Sequence, residues 1–321
     1  MSIVELAPEG LPVGDDLGWP LLPETHPLMP RSTARRGTRR MAPSMREAVG
    51  RSLTRQQTID LIASGDLDPS RCRVIWNVND KPVIHPIGEV KVPSLRGLRP
   101  ARRIGTFKGA ESRIAMLPVM RGEYATMLEL ESQLELAHAT ELVLDPKVTE
   151  IFSQPFAMVW RHRDGSVVHF PDLATIRDGR LVVHAVKPDD RAAEEWNQRL
   201  FALVGETLGF GHIEFELLGS MSKQRQINLK RLAQYRHPNP TLYNWTQVVR
   251  PHRPRTIGGF YGIVRRHLGL EGIDFPAPGC PSLVGLHAAC FAVARGFASL
   301  DLNEPISLHA ALHWAETGGA A

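Results

Sequence analysis

Residues 123–141 run without proline or glycine and with few β-branched side chains. Leu128, Glu131/Ser132, Glu135 and Ala139 recur there at helical spacing, which predicts a helix. Pro146 disfavours helical backbone at Asp145 and so ends it. Three β-like stretches follow, 156–161, 166–176 and 180–187, joined at Asp164-Gly165 and Asp178-Gly179. Asp-Gly between such runs signals a hairpin, because the tight turn needs positive φ. After Pro188 a second helix, about 191–208, sets Trp196, Leu200, Leu203, Val204 and Leu208 on one stripe. Gly209 and Gly211 stop it before a strand over 213–218, which an intervening helix lets return parallel to an earlier one. The order helix, three-strand meander, helix, strand predicts an α/β domain with a mixed sheet over 111–222.

The flanks read differently. Residues 1–110 are rich in Pro, Gly and Arg and read as a basic, partly disordered N-terminal extension. Short ordered pieces are expected within it: a helix over 54–64, and a hairpin of 73–76 against 82–85. Residues 223–321 read as helical in patches, at 224–235, 258–268, 282–295 and 308–314, with a Pro/Arg-rich connector over 237–255. The stretch 296–305 fits a small wing, so a winged-helix-like domain is expected.

Composition narrows the class. The chain has 321 residues, a net charge of +4 and 43% hydrophobic residues, enough for a packed core. It has no apolar run of 18 residues, so no membrane partner is expected. The first 16 residues lack a basic-then-apolar start, and a cytoplasmic protein is the default expectation. Cys72, Cys280 and Cys290 form no CxxC pair, so neither a zinc site nor a disulfide framework is indicated. Charge is unevenly spread. Residues 31–55 hold many arginines and one acid, Glu47, and a second cluster spans Lys91, Arg96, Arg99, Arg102, Arg103 and Lys108. Arg35, Arg36, Arg39, Arg40, Arg102 and Arg103 are the candidate contacts to double-stranded DNA, since such clusters neutralise phosphates without regard to sequence.

The candidate chemistry lies in the middle. Asp172 follows Phe170-Pro171 on the second strand, and Ala185 and Lys187 share one face of the third. The turn at Asp178-Gly179 brings the two strands side by side, and Glu135 on the preceding helix can add a second carboxylate. Hard oxygen ligands suit Mg²⁺ or Mn²⁺, and a lysine suits the charge that builds up in phosphodiester hydrolysis.

Ser132-Gln133-Leu134-Glu135, Asp145-Pro146-Lys147-Val148, Gln154-Pro155, His169-Phe170-Pro171-Asp172 and Val186-Lys187-Pro188, in that order, resemble the TnsA-like endonuclease subunit of heteromeric Tn7-like transposases. That family belongs to the PD-(D/E)xK nuclease superfamily. The resemblance implies a restriction-endonuclease-like core and cutting at the 5′ transposon ends. It also implies an integrase-type (TnsB-like) transposase and an AAA+ (TnsC-like) ATPase as partners. By the same resemblance Glu135 and Asp172 bind metal, Lys187 is the motif lysine, and Gln154 is structural. The chain departs from the pattern at Ala185, where a carboxylate or amide ligand is usual. The main-chain carbonyl of Val186 and the side chain of His169 are the nearer substitutes, since His184 lies on the opposite face. A subunit that binds DNA and assembles without cutting, or a stand-alone defence or repair nuclease, are the other expectations.

Overall fold

The computed structural model describes residues 43–93, 97–102, 115–121, 124–269 and 284–315. A short helix α1 (Pro43–Val49) precedes α2 (Arg55–Ser64), which starts where Thr54 and Gln57 close a reciprocal capping box. The apolar run that follows forms β1 (Arg73–Val78). Asn79 and Asp80, at φ 50° and 61°, turn it back as the antiparallel β2 (Lys81–Pro86), the expected hairpin.

The place of this hairpin corrects the boundary expected at 110. β1 also pairs with β7 (Phe156–His162), and β7 with β8 (Gly165–His169). The first sheet therefore runs β2-β1-β7-β8, with β3 (Leu98–Arg99) on the end of β1. The described part of residues 43–102 belongs to the α/β body. The reason is burial, since Val74, Ile75 and Trp76 are almost wholly enclosed and need cover on both faces of the strand.

The helix expected over 123–141 is two elements. β4 (Ala115–Arg121) and β5 (Tyr124–Leu130) form an antiparallel hairpin, and α3 (Gln133–Leu144) starts only after it. Leu117 pairs with Leu128, both buried, while Met116 and Met127 are exposed, so the local period is two. Ser132 is extended at φ −147° and its hydroxyl accepts the Glu135 N–H, which sets the helix start.

The strand expected over 166–176 also breaks, at Phe170-Pro171-Asp172. Its first half is β8. Its second half, β9 (Leu173–Arg177), enters a second sheet of order β11-β10-β9-β6. There β6 (Val148–Ser153), unforeseen from the sequence, pairs antiparallel with β9. β10 (Arg180–Val186) follows β9 through a two-residue turn with Asp178 and Gly179 at φ 48° and 75°. α4 (Asp189–Ala192) and α5 (Glu195–Phe210) cross over to β11 (Glu214–Leu218), parallel to β10 as expected. α1 covers one face of the first sheet through Met45 and Val49 against Ile75 and Val159. The other face, with Trp76, Phe156 and Trp160, shares a core with Val204 and Leu208 of α5 and with Ala174 and Val183 of the second sheet. The far side of that sheet, Leu173 and Val186, packs on Ala139 and Leu142 of α3 and on the β4–β5 hairpin. The molecule is mixed α/β.

C-terminal to this, α6 (Lys223–Ala233) pairs Arg225 with Glu141 of α3. The expected connector over 237–255 contains a helix, α7 (Pro240–Val249), capped by Asn239. α8 (Ile257–His267) and α9 (Val284–Ala294) follow as expected. The helix expected over 308–314 is absent. β13 (His313–Trp314) pairs there with β12 (Ala298–Ser299), and Ala311 bridges Thr256. α9 carries no charged side chain and is largely buried against α7 and α8. Among the described residues no helix is long and apolar enough to cross a membrane.

Candidate active site

The crossing between the two sheets sets the site. Gln154 joins β6 to β7 and holds φ 44°, a left-handed conformation that a residue with a Cβ adopts only when its surroundings impose it. Its N–H donates to the Asp172 carbonyl at 2.9 Å, and its carbonyl accepts from Ala101 N–H at 2.8 Å. Its side chain takes Arg102 Nε on Oε1 at 3.0 Å and donates Nε2 to Glu131 at 2.9 Å. Arg102 and Glu131 are themselves 2.8 Å apart and both largely enclosed, and the guanidinium lies 5.2 Å from the Phe170 ring centre. Asn77 on β1 carries this segment by donating to the Pro100 carbonyl. Gln154 thus fixes the backbone of Asp172 and the plane of Arg102 together. No local signal marks Arg102, Glu131 and Gln154 as partners, because they meet only when the two sheets form.

Asp172 sits where β9 begins, and its Oδ2 accepts the Val186 N–H at 2.8 Å. Burial pushes its carboxyl up, opposed by that N–H and by the charges of Lys187 and Arg102. Glu135, in the first turn of α3, is buried, and its carboxylate accepts from Glu131 N–H at 2.8 Å and Ser132 Oγ at 3.1 Å. Burial first, then the Asp172 charge, pushes it up to about 7. The two carboxylates are therefore near enough to repel one another. Glu135 also has a plain structural task, closing the helix cap.

Lys187 leaves the end of β10, its N–H held by the Leu218 carbonyl at 3.0 Å. It lines a cleft of about 760 Å³ with Asp172, His169, Arg102, Arg55, Arg191 and the apolar Phe170 and Trp196. His169, at the end of β8, is held neutral: burial, then Arg102 and Lys187, push its imidazole down to about 3. Among the described residues its Nε2 atom is buried with no hydrogen-bond partner. Ala185 is 1% exposed and contributes no ligand. His184 faces the opposite side, with Nε2 2.9 Å from Thr175 Oγ1 and Nδ1 2.9 Å from Glu216. A second cavity of about 390 Å³, lined by Val143, Ile151, Arg236 and Arg295 among others, lies away from these groups.

The chain matches no family model and no curated protein.

The structure thus brings Asp172, Lys187, His169 and Arg102 to one cleft, with Glu135 coupled to Asp172 from the α3 side. Arg102, expected as a contact to DNA, is committed to Glu131 and Gln154 as well as lining the cleft. Arg35, Arg36, Arg39, Arg40 and Arg103 lie outside the described residues. No three His, Cys, Asp or Glu side chains gather at metal distance among the described residues. A hard cation of the Mg²⁺ kind does not require three, because it is commonly held by one or two carboxylates, waters and a substrate phosphate. Two buried carboxylates, with the charge of Asp172 raising the proton affinity of Glu135, fit such an ion. The N–H and C=O of one strand residue point to the same side, so the Val186 carbonyl faces toward Asp172.

Proposed function

We propose that the chain is a cation-dependent DNA endonuclease, a TnsA-like subunit that hydrolyses phosphodiesters at the 5′ ends of a transposon. In this reading, α3, the second sheet and α5 correspond to a restriction-endonuclease-like core. The C-terminal helices with the β12–β13 wing serve assembly with an integrase-type transposase and an AAA+ ATPase. One observation carries it: Asp172 and Lys187, from adjoining strands, line one basic cleft, and the charge of Asp172 reaches the buried Glu135.

Glu135, Asp172 and the Val186 carbonyl would hold Mg²⁺ or Mn²⁺. When bound, such an ion polarises the phosphate and acidifies water. The chain's own residues do the rest. The Val186 N–H orients the Asp172 carboxylate, the Lys187 ammonium holds the attacking water and offsets charge on the phosphate, and Gln154 keeps both strands in register.

A second reading, a DNA-binding assembly subunit that does not cut, is favoured by the buried Ala185. Incubating the full chain with transposon-end duplex, the transposase partner and Mn²⁺ separates the two. The nuclease reading expects nicking by the wild type and its loss in both Asp172→Ala and Lys187→Ala. Duplex binding without nicking in any of the three proteins favours the assembly role.

A further inference from the structure

The cleft beside Asp172 holds more nitrogen donors than acids: Arg55, Arg102, His169, Lys187 and Arg191 against Asp172 and Glu194. Basic character alone describes any solvated surface. Three features go beyond it. The Arg102 guanidinium is oriented, with Nε on Gln154, Nη2 on Glu131 and its plane by the Phe170 ring, so its fork is set before any ligand arrives. His169 lines the cleft, and its Nε2 atom is buried without a protein partner among the described residues, where buried polar atoms ordinarily have one. Lys187 enters from the end of β10, and it and Arg102 stand near enough to His169 for their charges to weigh on its ring. A guanidinium, an imidazole and an ammonium lining one cleft are a donor set that phosphate oxygens take.

We infer that Arg102, His169 and Lys187 form a phosphate subsite that holds the non-bridging oxygens of a phosphodiester, with His169 donating from Nε2. Its assignment to a DNA phosphate rests on the nuclease reading; the donor geometry does not. His169 is a substrate-binding residue here, rather than a substitute for the ligand missing at Ala185. The orphaned nitrogen is satisfied when the phosphate binds, and Arg102 enters the cleft already aligned by Gln154.

The test uses the full chain in EDTA, so that neither cleavage nor metal binding contributes. Affinity for a labelled DNA duplex is read by fluorescence anisotropy over a salt series, and binding of inorganic phosphate by calorimetry. His169→Leu removes both ring nitrogens, neither of which makes a side-chain hydrogen bond among the described residues, and so leaves the fold's own hydrogen bonds in place. It is expected to weaken duplex binding about tenfold, while His169→Gln, which keeps a donor, stays within about twofold. Arg102→Gln is expected to lower the slope of log affinity against log salt by about one. Equal duplex affinity in the wild type and His169→Leu, with an unchanged slope for Arg102→Gln, overturns the subsite and leaves the nuclease reading standing. Phosphate binding that is lost in His169→Leu, in a protein that binds no duplex, keeps the subsite and removes the nuclease reading.

Discussion

Burial and the Asp172 charge push the Glu135 carboxyl up to about 7, which ties stability to pH and, in the proposed metal site, to the bound cation. Near pH 4.5 and below, both the folded and the unfolded chain hold the proton, and the group costs the fold nothing. As pH rises through 7 the folded form must also give it up, and the contribution is lost, on the order of 3 kcal/mol. Glu135→Gln is therefore expected to melt above the wild type at pH 8 in metal-free buffer and level with it near pH 4.5. Mg²⁺ or Mn²⁺ should raise the melting temperature of the wild type at pH 8, and the glutamine variant should lose that rise. Calorimetric scans at the two pH values check both expectations. A wild type that is already the more stable protein at pH 8 without metal would show that the helix cap outweighs the buried charge. At this scale the Asp178-Gly179 turn already sets Asp172 and Lys187 on adjoining strands, and both line one cleft, whereas Glu135 is singled out by the resemblance rather than by its spacing. The sequence offers His169 only as a substitute ligand and Arg102 only as a DNA contact, because the imidazole's missing partner and the guanidinium's ties to Glu131 and Gln154 exist only in three dimensions.

Among the elements, those specified by local chemistry were readable. The Asn79-Asp80 and Asp178-Gly179 turns, the α5 stripe and the parallel return of β11 all follow from short-range rules. The helix over 123–141 was misread because Leu128 and Glu135 fit helical spacing while Leu128 and Leu130 equally fit a strand, and the Ser132 cap decides between them. The run 166–176 reads as one strand until Pro171, which has no N–H for a sheet, sends its halves into different sheets. Gln154 anchors that crossing against its own backbone preference, which gives a prediction specific to this junction. Gln154→Ala removes the clamp and keeps the left-handed strain. Gln154→Gly removes the same clamp and the strain with it. Both should destabilise, the alanine variant by about 1 kcal/mol more than the glycine. Urea unfolding measures the difference, and an alanine variant more stable than the glycine would show that the backbone at 154 relaxes once its side chain is gone.

For the whole molecule, the central question is what the N-terminal third does. A chain beginning at residue 111 would keep every candidate catalytic residue and lose β1, the strand between β2 and β7. It would also expose the faces of Phe156, Met158 and Trp160 that Val74 and Trp76 cover. Such a chain is expected not to fold, with rapid proteolysis and without a cooperative thermal transition. A stable, cooperatively melting product would return residues 43–102 to the role of an appendage. The C-terminal helices join the same body through Arg225 and Glu141, and through Lys230 Nζ donating to Gln133 at 3.2 Å. α9 is enclosed and carries no Asp, Glu, Lys or Arg, and the exposed basic side chains of this region include Lys230 and Arg231 of α6 and Arg266 of α8.

The sequence alone determined the Asp178-Gly179 turn, the hairpin at Asn79-Asp80 and most of the helices in the C-terminal part, because each depends on residues close together in the chain. Tertiary structure decided the rest. It drew β1 into the first sheet, split one strand between two sheets, and gathered Arg102, His169, Asp172 and Lys187 around one cleft, with the buried Gln154 holding Arg102 and the Asp172 backbone. Those outcomes depend on which buried faces find cover and which buried polar atoms find partners, and both are properties of the packed chain.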